Sequence, residues 1–170
     1  MSNSIYDLHG WLQINGNHIH ETAIIYPNVT MGKGNYIGPY TVIGGNGEIR
    51  GVDQTEFKGK VFIGDNNVIS ELVTIQAPYE STMTIVGSNN IIMAHVHIGH
   101  DAHIGDDCEI CTTSVIGGYA QVMTGAKIKL HCVIRNRVTV GARSIVGMGS
   151  VVTKDVPAGL TVYGNPASIH

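Results

Sequence analysis

VGSNNI IMAHVH IGHDAH IGDDCE ICTTSV IGGYAQ VMTGAK IKLHCV IRNRVT VGARSI VGMGSV VTKDVP, read from Val86 to Pro157, divides into twelve hexads, each opening on Ile or Val. Six of the twelve carry Gly at the second position, as at Gly99, Gly105 and Gly117. The fifth position is small at Ala102, Cys108, Ser114, Ala120, Ala126, Cys132, Ser144 and Ser150. Upstream the same rhythm runs through IHETAI, IYPNVT, MGKGNY, IGPYTV and IGGNGE, and again through IGDNNV and ISELVT. A period of six matches neither a helix nor a simple strand alternation. It fits short strands with a bend in every hexad, stacked so that the aliphatic residue points inward and small residues fill a narrow interior. Three hexads, eighteen residues, then make one coil of a parallel β-helix. Hydrogen bonds run between coils about 4.8 Å apart. Gly relieves crowding at the bends.

The composition agrees with that interior. The 170 residues include 22 Gly, 2 Phe and 1 Trp, with aromatics at 6% and charged residues at 14%. A narrow prism filled by Ile, Val and small side chains has no room for large rings. The chain is long enough for one domain, taken as residues 1–170. It has too little charge and too many β-branched residues to be disordered. No apolar run is long enough for a membrane span, and MSNSIYDLHGWLQ lacks the basic start and apolar stretch of a signal peptide. Three cysteines, Cys108, Cys111 and Cys132, form no secreted disulfide framework. A cytoplasmic protein is expected.

The hexad register slips at about 49–62 and 76–85. Both stretches are expected to project from the prism as loops, where functional groups often sit.

Charge is uneven. Residues 1–109 hold four basic residues, Lys33, Arg50, Lys58 and Lys60, against twelve acidic ones, whereas residues 110–170 hold six basic residues and a single acid, Asp155. The basic set is Lys127, Lys129, Arg135, Arg137, Arg143 and Lys154. With a net charge of −3, this points to a local anionic partner and not to nucleic acid. The alternative is a solvated basic face.

Four histidines fall in AHVHIGHDAH: His95, His97, His100 and His103. His100 is the candidate general base, since imidazole takes up a proton near neutral pH. Asp101 is the candidate carboxylate that fixes its tautomer. Neighbours on a flat strand point apart, but at a bend they can meet. His100 plus one coil is Gly118, a position where a reactant could approach the backbone N–H closely. His95 and His131 also share a column, two coils apart. Surface polar residues in turns are the plain alternative, preferred for His103. Cys108 and Cys132 occupy the inward fifth position, so the C-x2-C at 108–111 reads as packing.

The hexads resemble the hexapeptide-repeat acyltransferases, whose coils are left-handed. That resemblance implies an all-β, left-handed parallel β-helix of about seven coils with two projecting loops. IHETAI at 19, VFIGDNNVISELVTI at 61–75 and VGSNNIIMAHVHIGHDAHIG at 86–105 are similar to the acyl-carrier-protein:UDP-N-acetylglucosamine O-acyltransferases over about residues 19–157. It implies His100 as base, Asp101 as its partner and Gly118 as oxyanion donor. It places His97 and Asp53 at the acceptor, with Tyr119 standing where that family has His. Within this superfamily the donor lies along a groove between two subunits. The donor-binding candidates are therefore Lys129, Arg135, Arg137 and Lys154, with Gly141 admitting a pantetheine arm. A homotrimer with sites between subunits is implied.

The ending SVVTKDVPAGLTVYGNPA resembles the acetyl-transferring relatives, and the chain stops soon after its last coil. The expected function is therefore transfer of an acetyl group from acetyl-CoA to a hydroxyl or amine of a nucleotide-linked sugar for surface polysaccharide. The alternatives are a longer acyl chain delivered by acyl carrier protein, a γ-type carbonic anhydrase, and a non-catalytic scaffold. The γ-class enzymes, which share the fold, bind zinc through a His, a second 36 residues on and a third five later. Here that third position is Asn136, so no metal is expected.

Overall fold

The computed structural model describes residues 10–51, 53, 55–56, 59–81 and 83–169. All of its regular elements are strands, arranged in three sheets of ten, six and seven strands. Pairing is parallel between successive coils, as between His97–Ile98 and Val115–Ile116, and then Val133–Ile134. Partners such as Ile98 and Ile116 stand one coil apart. Antiparallel hairpins close the two ends, Trp11–Ile14 with Asn17–His20 and Thr161–Gly164 with Ala167–Ile169. The left-handed parallel β-helix of about seven coils is the fold. No helix among the described residues is long and apolar enough to cross a membrane.

The first position of each hexad is the core. Ile92, Ile98, Ile104, Ile110, Ile116, Val122 and Ile128 are all fully buried. Each such side chain contributes roughly 1.5–3 kcal/mol through removal of apolar surface from water. The small fifth-position residues Ala102, Cys108, Ser114, Ala120, Ala126 and Cys132 sit beside them, at 2% exposure or less.

The corners refine the reading of glycine. The left-handed backbone falls on the fourth position of the hexad, where φ is 60° at His95, 59° at Asp101, 60° at Tyr119 and 56° at His131. Most of these bends therefore lack Gly. The second-position glycines answer a different need, the approach of the next coil. A Cβ on Gly99 would lie 2.8 Å from the Gly118 nitrogen, and one on Gly141 would lie 2.4 Å from the Ala158 nitrogen.

The first loop is displaced toward the N-terminus relative to its register slip, and the second is shorter than its slip suggests. Lys60–Ile63 is a strand paired with Val29–Met31 on one side and Met83–Val86 on the other. Strands end at Gly45 and Gln76 and resume at Lys60 and Met83, so the first loop opens before 49 and closes before 62, and the second lies within 76–85. The slip conceals these strands because the chain re-enters the sheet before the hexad phase is legible. Lys58 lies outside the described residues. Asn28 ties the feet of the first loop: its Nδ2 donates to the Gly44 carbonyl at 3.2 Å and the Gly59 carbonyl at 3.3 Å.

Candidate active site

His100 and Asp101 occupy the third and fourth positions of one corner. The positive φ at Asp101 turns its side chain back toward its neighbour. His100 Nδ1 and Asp101 Oδ2 are 2.8 Å apart. The His100 side chain is 17% exposed and that of Asp101 fully buried. A carboxylate can only accept, so Nδ1 is the donor of this bond, and in the neutral ring the lone pair lies on Nε2. The burial of Asp101 alone would raise its pKa. Hydrogen bonds from Ser81, from the Tyr79 N–H and from His100 outweigh this and hold the carboxyl below its usual value of 3.8.

The Nε2 edge of the ring lies against the next coil. An ideal Cβ on Gly118 would come within 2.7 Å of His100 Nε2 and Cε1. The first loop covers another part of the ring, where a Cβ on Gly47 would stand 3.1 Å from Cδ2. The imidazole thus sits between two glycines. Gly117 N–H donates to the Ile134 carbonyl and Tyr119 N–H to the His100 carbonyl, while the Gly118 N–H between them makes no such bond among the described residues.

His97 stands on the outward face of the strand leading into this corner. Its Nδ1 is 2.8 Å from Thr74 Oγ1. Burial pushes its pKa below 6.5, opposed by the charge of Glu48 and assisted by His100, so the ring is neutral at neutral pH. Beside it lies a cavity of about 170 Å³ lined by Asn46, Glu48, Thr74, Gln76 and His97, with Val42, Gly45 and Ile75 at its base. Gln76 joins cavity and base, because its Oε1 accepts the His100 N–H at 3.2 Å. A hydroxyl entering this cavity therefore meets polar groups next to the His100 corner.

Tyr119 packs edge-on to His100 with ring centres 5.0 Å apart. The Arg137 guanidinium carbon lies 3.8 Å above the Tyr119 ring. Arg137 also pairs with Glu80 of the second loop at 3.6 Å. Burial pushes the Tyr119 hydroxyl up to about 12, reinforced by Glu80 and Asp101 and opposed by Arg137. It is therefore a protonated donor at working pH.

The donor-binding candidates divide between corners. Arg135 and Arg137 continue the His100 corner two coils on and Lys154 three coils on, and Arg135 and Lys154 are exposed. Lys129 lies on the preceding corner, where Nζ pairs with Glu109 Oε1 at 2.7 Å. Gly141 lies on the following corner, with the Ala158 backbone packed on it. Asp53 is exposed in the first loop and accepts from the Thr55 N–H at 2.8 Å and hydroxyl at 2.6 Å. His131 and His95 sit on the preceding corner, apart from Asn136, and His131 Nδ1 is 2.6 Å from Thr113 Oγ1. Among the described residues no three His, Cys, Asp or Glu side chains converge as a metal set.

Gly47, Glu48, Gln76, Thr74 and the Tyr79–Ser81 backbone were not singled out from sequence. The first two close the in-phase hexad IGGNGE, which the structure carries out of the sheet after Gly45, so their hexad phase gave no sign of the loop.

The bacterial transferase hexapeptide (six repeats) family matches residues 83–118. The acyl-[acyl-carrier-protein]–UDP-N-acetylglucosamine O-acyltransferase of Pseudomonas paraeruginosa is 40% identical over 117 residues, covering 66% of this chain and 45% of that protein. Its counterpart in Pseudomonas putida is 34% identical over 187 residues, covering 89% of this chain and 72% of the relative. The chain belongs to the acyl-[acyl-carrier-protein]–UDP-N-acetylglucosamine O-acyltransferase family. A crystal structure of the Bacteroides fragilis UDP-N-acetylglucosamine acyltransferase, LpxA, superposes with a TM-score of 0.86 at 31% identity, covering 91% of this chain and 60% of that one. The chain spans about half the length, 45%, of the Pseudomonas paraeruginosa acyltransferase.

Proposed function

We propose that this member of the acyltransferase family moves an acyl group from a pantetheine thioester to a hydroxyl of a UDP-linked N-acetylhexosamine. The observation that carries this reading is the His100–Asp101 dyad with Nε2 turned onto the Gly118 backbone. Nε2 takes the proton of the attacking hydroxyl as its oxygen adds to the thioester carbonyl. Asp101 steadies the imidazolium that forms. The oxyanion accepts the Gly118 N–H. On collapse the C–S bond breaks, and the imidazolium returns the proton to the departing thiolate. His97, Glu48 and Gln76 hold the sugar in the adjoining cavity, and the first loop carries Asp53 toward the nucleotide.

The relatives' names support acyl carrier protein as donor. A second reading, acetyl-CoA, draws on the resemblance of 150–167 to acetyl-transferring relatives. Either donor suits Arg135 and Lys154, which stand exposed along the corner below His100. A homotrimer with sites between subunits would serve either donor. Its contacts would use the outward apolar row beside His97, where Ile24 is 54%, Val115 36% and Val133 41% exposed.

The test is a transfer assay with UDP-N-acetylglucosamine, read by mass spectrometry of the sugar. One arm supplies carrier-bound acyl groups of graded length and the other acetyl-CoA. Product in the carrier arm alone supports the first reading, and product in the acetyl-CoA arm alone supports the second. Folded protein that acylates the sugar from neither donor refutes both.

A further inference from the structure

The second loop has a role that the dyad alone does not supply. The Asp101 carboxylate accepts from the Tyr79 N–H at 2.8 Å through Oδ2. It accepts from the Glu80 N–H at 3.2 Å and the Ser81 N–H at 2.5 Å through Oδ1. We propose that the loop segment Tyr79–Ser81 is a positioning device for the reaction, its consecutive N–H groups fixing Asp101 and through it the His100 ring.

A carboxylate offers about four acceptor sites. Three backbone N–H donors here come from this loop, the Ser81 hydroxyl also acts on the carboxyl, and His100 completes the set. With its side chain fully buried, Asp101 has no access to bulk water. An unsatisfied charge in that place would be costly and would protonate or swing out. The loop is thus what allows a charged Asp101 to stand behind the base. The loop is held in turn: Ser81 Oγ donates to the Met83 carbonyl at 2.9 Å, and Glu80 pairs with Arg137. The titratable groups around the dyad are His97, Tyr79, Glu80, Tyr119 and Arg137, with Glu48 acting on His97.

This inference rests on His100 being the base. The test uses the full chain with Ser81→Pro, which deletes one N–H, and Ser81→Ala, which keeps it. Ser81→Pro lowers kcat tenfold or more with acceptor KM within twofold, and moves the Asp101 carboxyl titration upward in carbon NMR. Ser81→Ala, which removes the hydroxyl but keeps the N–H, recovers part of the lost turnover. A Ser81→Pro protein with wild-type kcat, or one whose KM alone rises, overturns the proposal, as does a Ser81→Ala loss equal to that of proline. Should the proline variant not fold, the wild type decides. The amide protons of Tyr79, Glu80 and Ser81 shift together with the Asp101 titration if they hold the carboxylate, and stay flat if they do not. That NMR result is independent of turnover, so an active His100→Ala enzyme would sink the base assignment while leaving the loop contact measurable.

Discussion

His100→Ala lowers kcat/KM by about 10²–10⁴ and leaves the fold intact. The range is that of a positioned general base, whose removal leaves proximity and oxyanion stabilisation in place. The side chain projects from a corner, apart from the Ile column that holds the coils together. Its backbone is not in the left-handed region, so Ala introduces no strain there. Melting temperature and oligomer size therefore match wild type, while transfer nearly stops. The measurement is steady-state transfer with the donor that the wild type uses. A variant within about threefold of wild type would remove His100 from the chemistry.

Much of the dyad was legible because the repeat is so regular. Once each hexad bends, adjacent His100 and Asp101 can meet across the bend, and the structure brings them to 2.8 Å. Once a coil is eighteen residues, Gly118 stands under His100, and a Cβ there would meet the ring. Periodicity fixes columns, and columns fix neighbours. It does not say what a side chain does inside its column. Arg137 reads as a cation for the donor, yet its guanidinium covers Tyr119 and pairs with Glu80. Lys129 reads the same way, yet it turns to Glu109, which stands one coil before Lys127 in its own sheet. Nor does periodicity reach the loops, which leave the register. Gly47 against the ring, Glu48 beside His97 and the three N–H groups on Asp101 all depend on where a non-repeating segment folds back. The glycines show the same limit. Their number pointed to bends, but among the described residues 13 left-handed positions carry a side chain against 9 that are Gly, and second-position glycines serve coil-to-coil contact.

Gly118→Ala isolates one such contact, and its expected effect is a loss of about 10²-fold or more in kcat without unfolding. The backbone at Gly118 does not have a positive φ, so Ala fits the local conformation. The obstacle is the added methyl, which would lie 2.7 Å from both Cε1 and Nε2 of His100. Contacts below 3 Å are well inside carbon–carbon and carbon–nitrogen separations, so something must move. The next coil is held by backbone bonds on either side, from Gly117 to Ile134 and from Tyr119 to His100. On the other side of the ring stands Gly47 of the first loop, where a Cβ would come within 3.1 Å of Cδ2, so the room there is limited. The ring therefore rotates or tips out, and its 2.8 Å bond to Asp101 lengthens. A displacement of about 1 Å at a reacting group is enough for a hundredfold loss. The methyl also narrows access to the Gly118 N–H, so base and oxyanion donor fail together. Because both failures act on the transition state, kcat falls more than acceptor affinity. Transfer kinetics alongside a carbon or nitrogen NMR signal of the His100 ring test this. Near-normal kcat with an undisplaced ring would show that the imidazole does not need the bare backbone of Gly118.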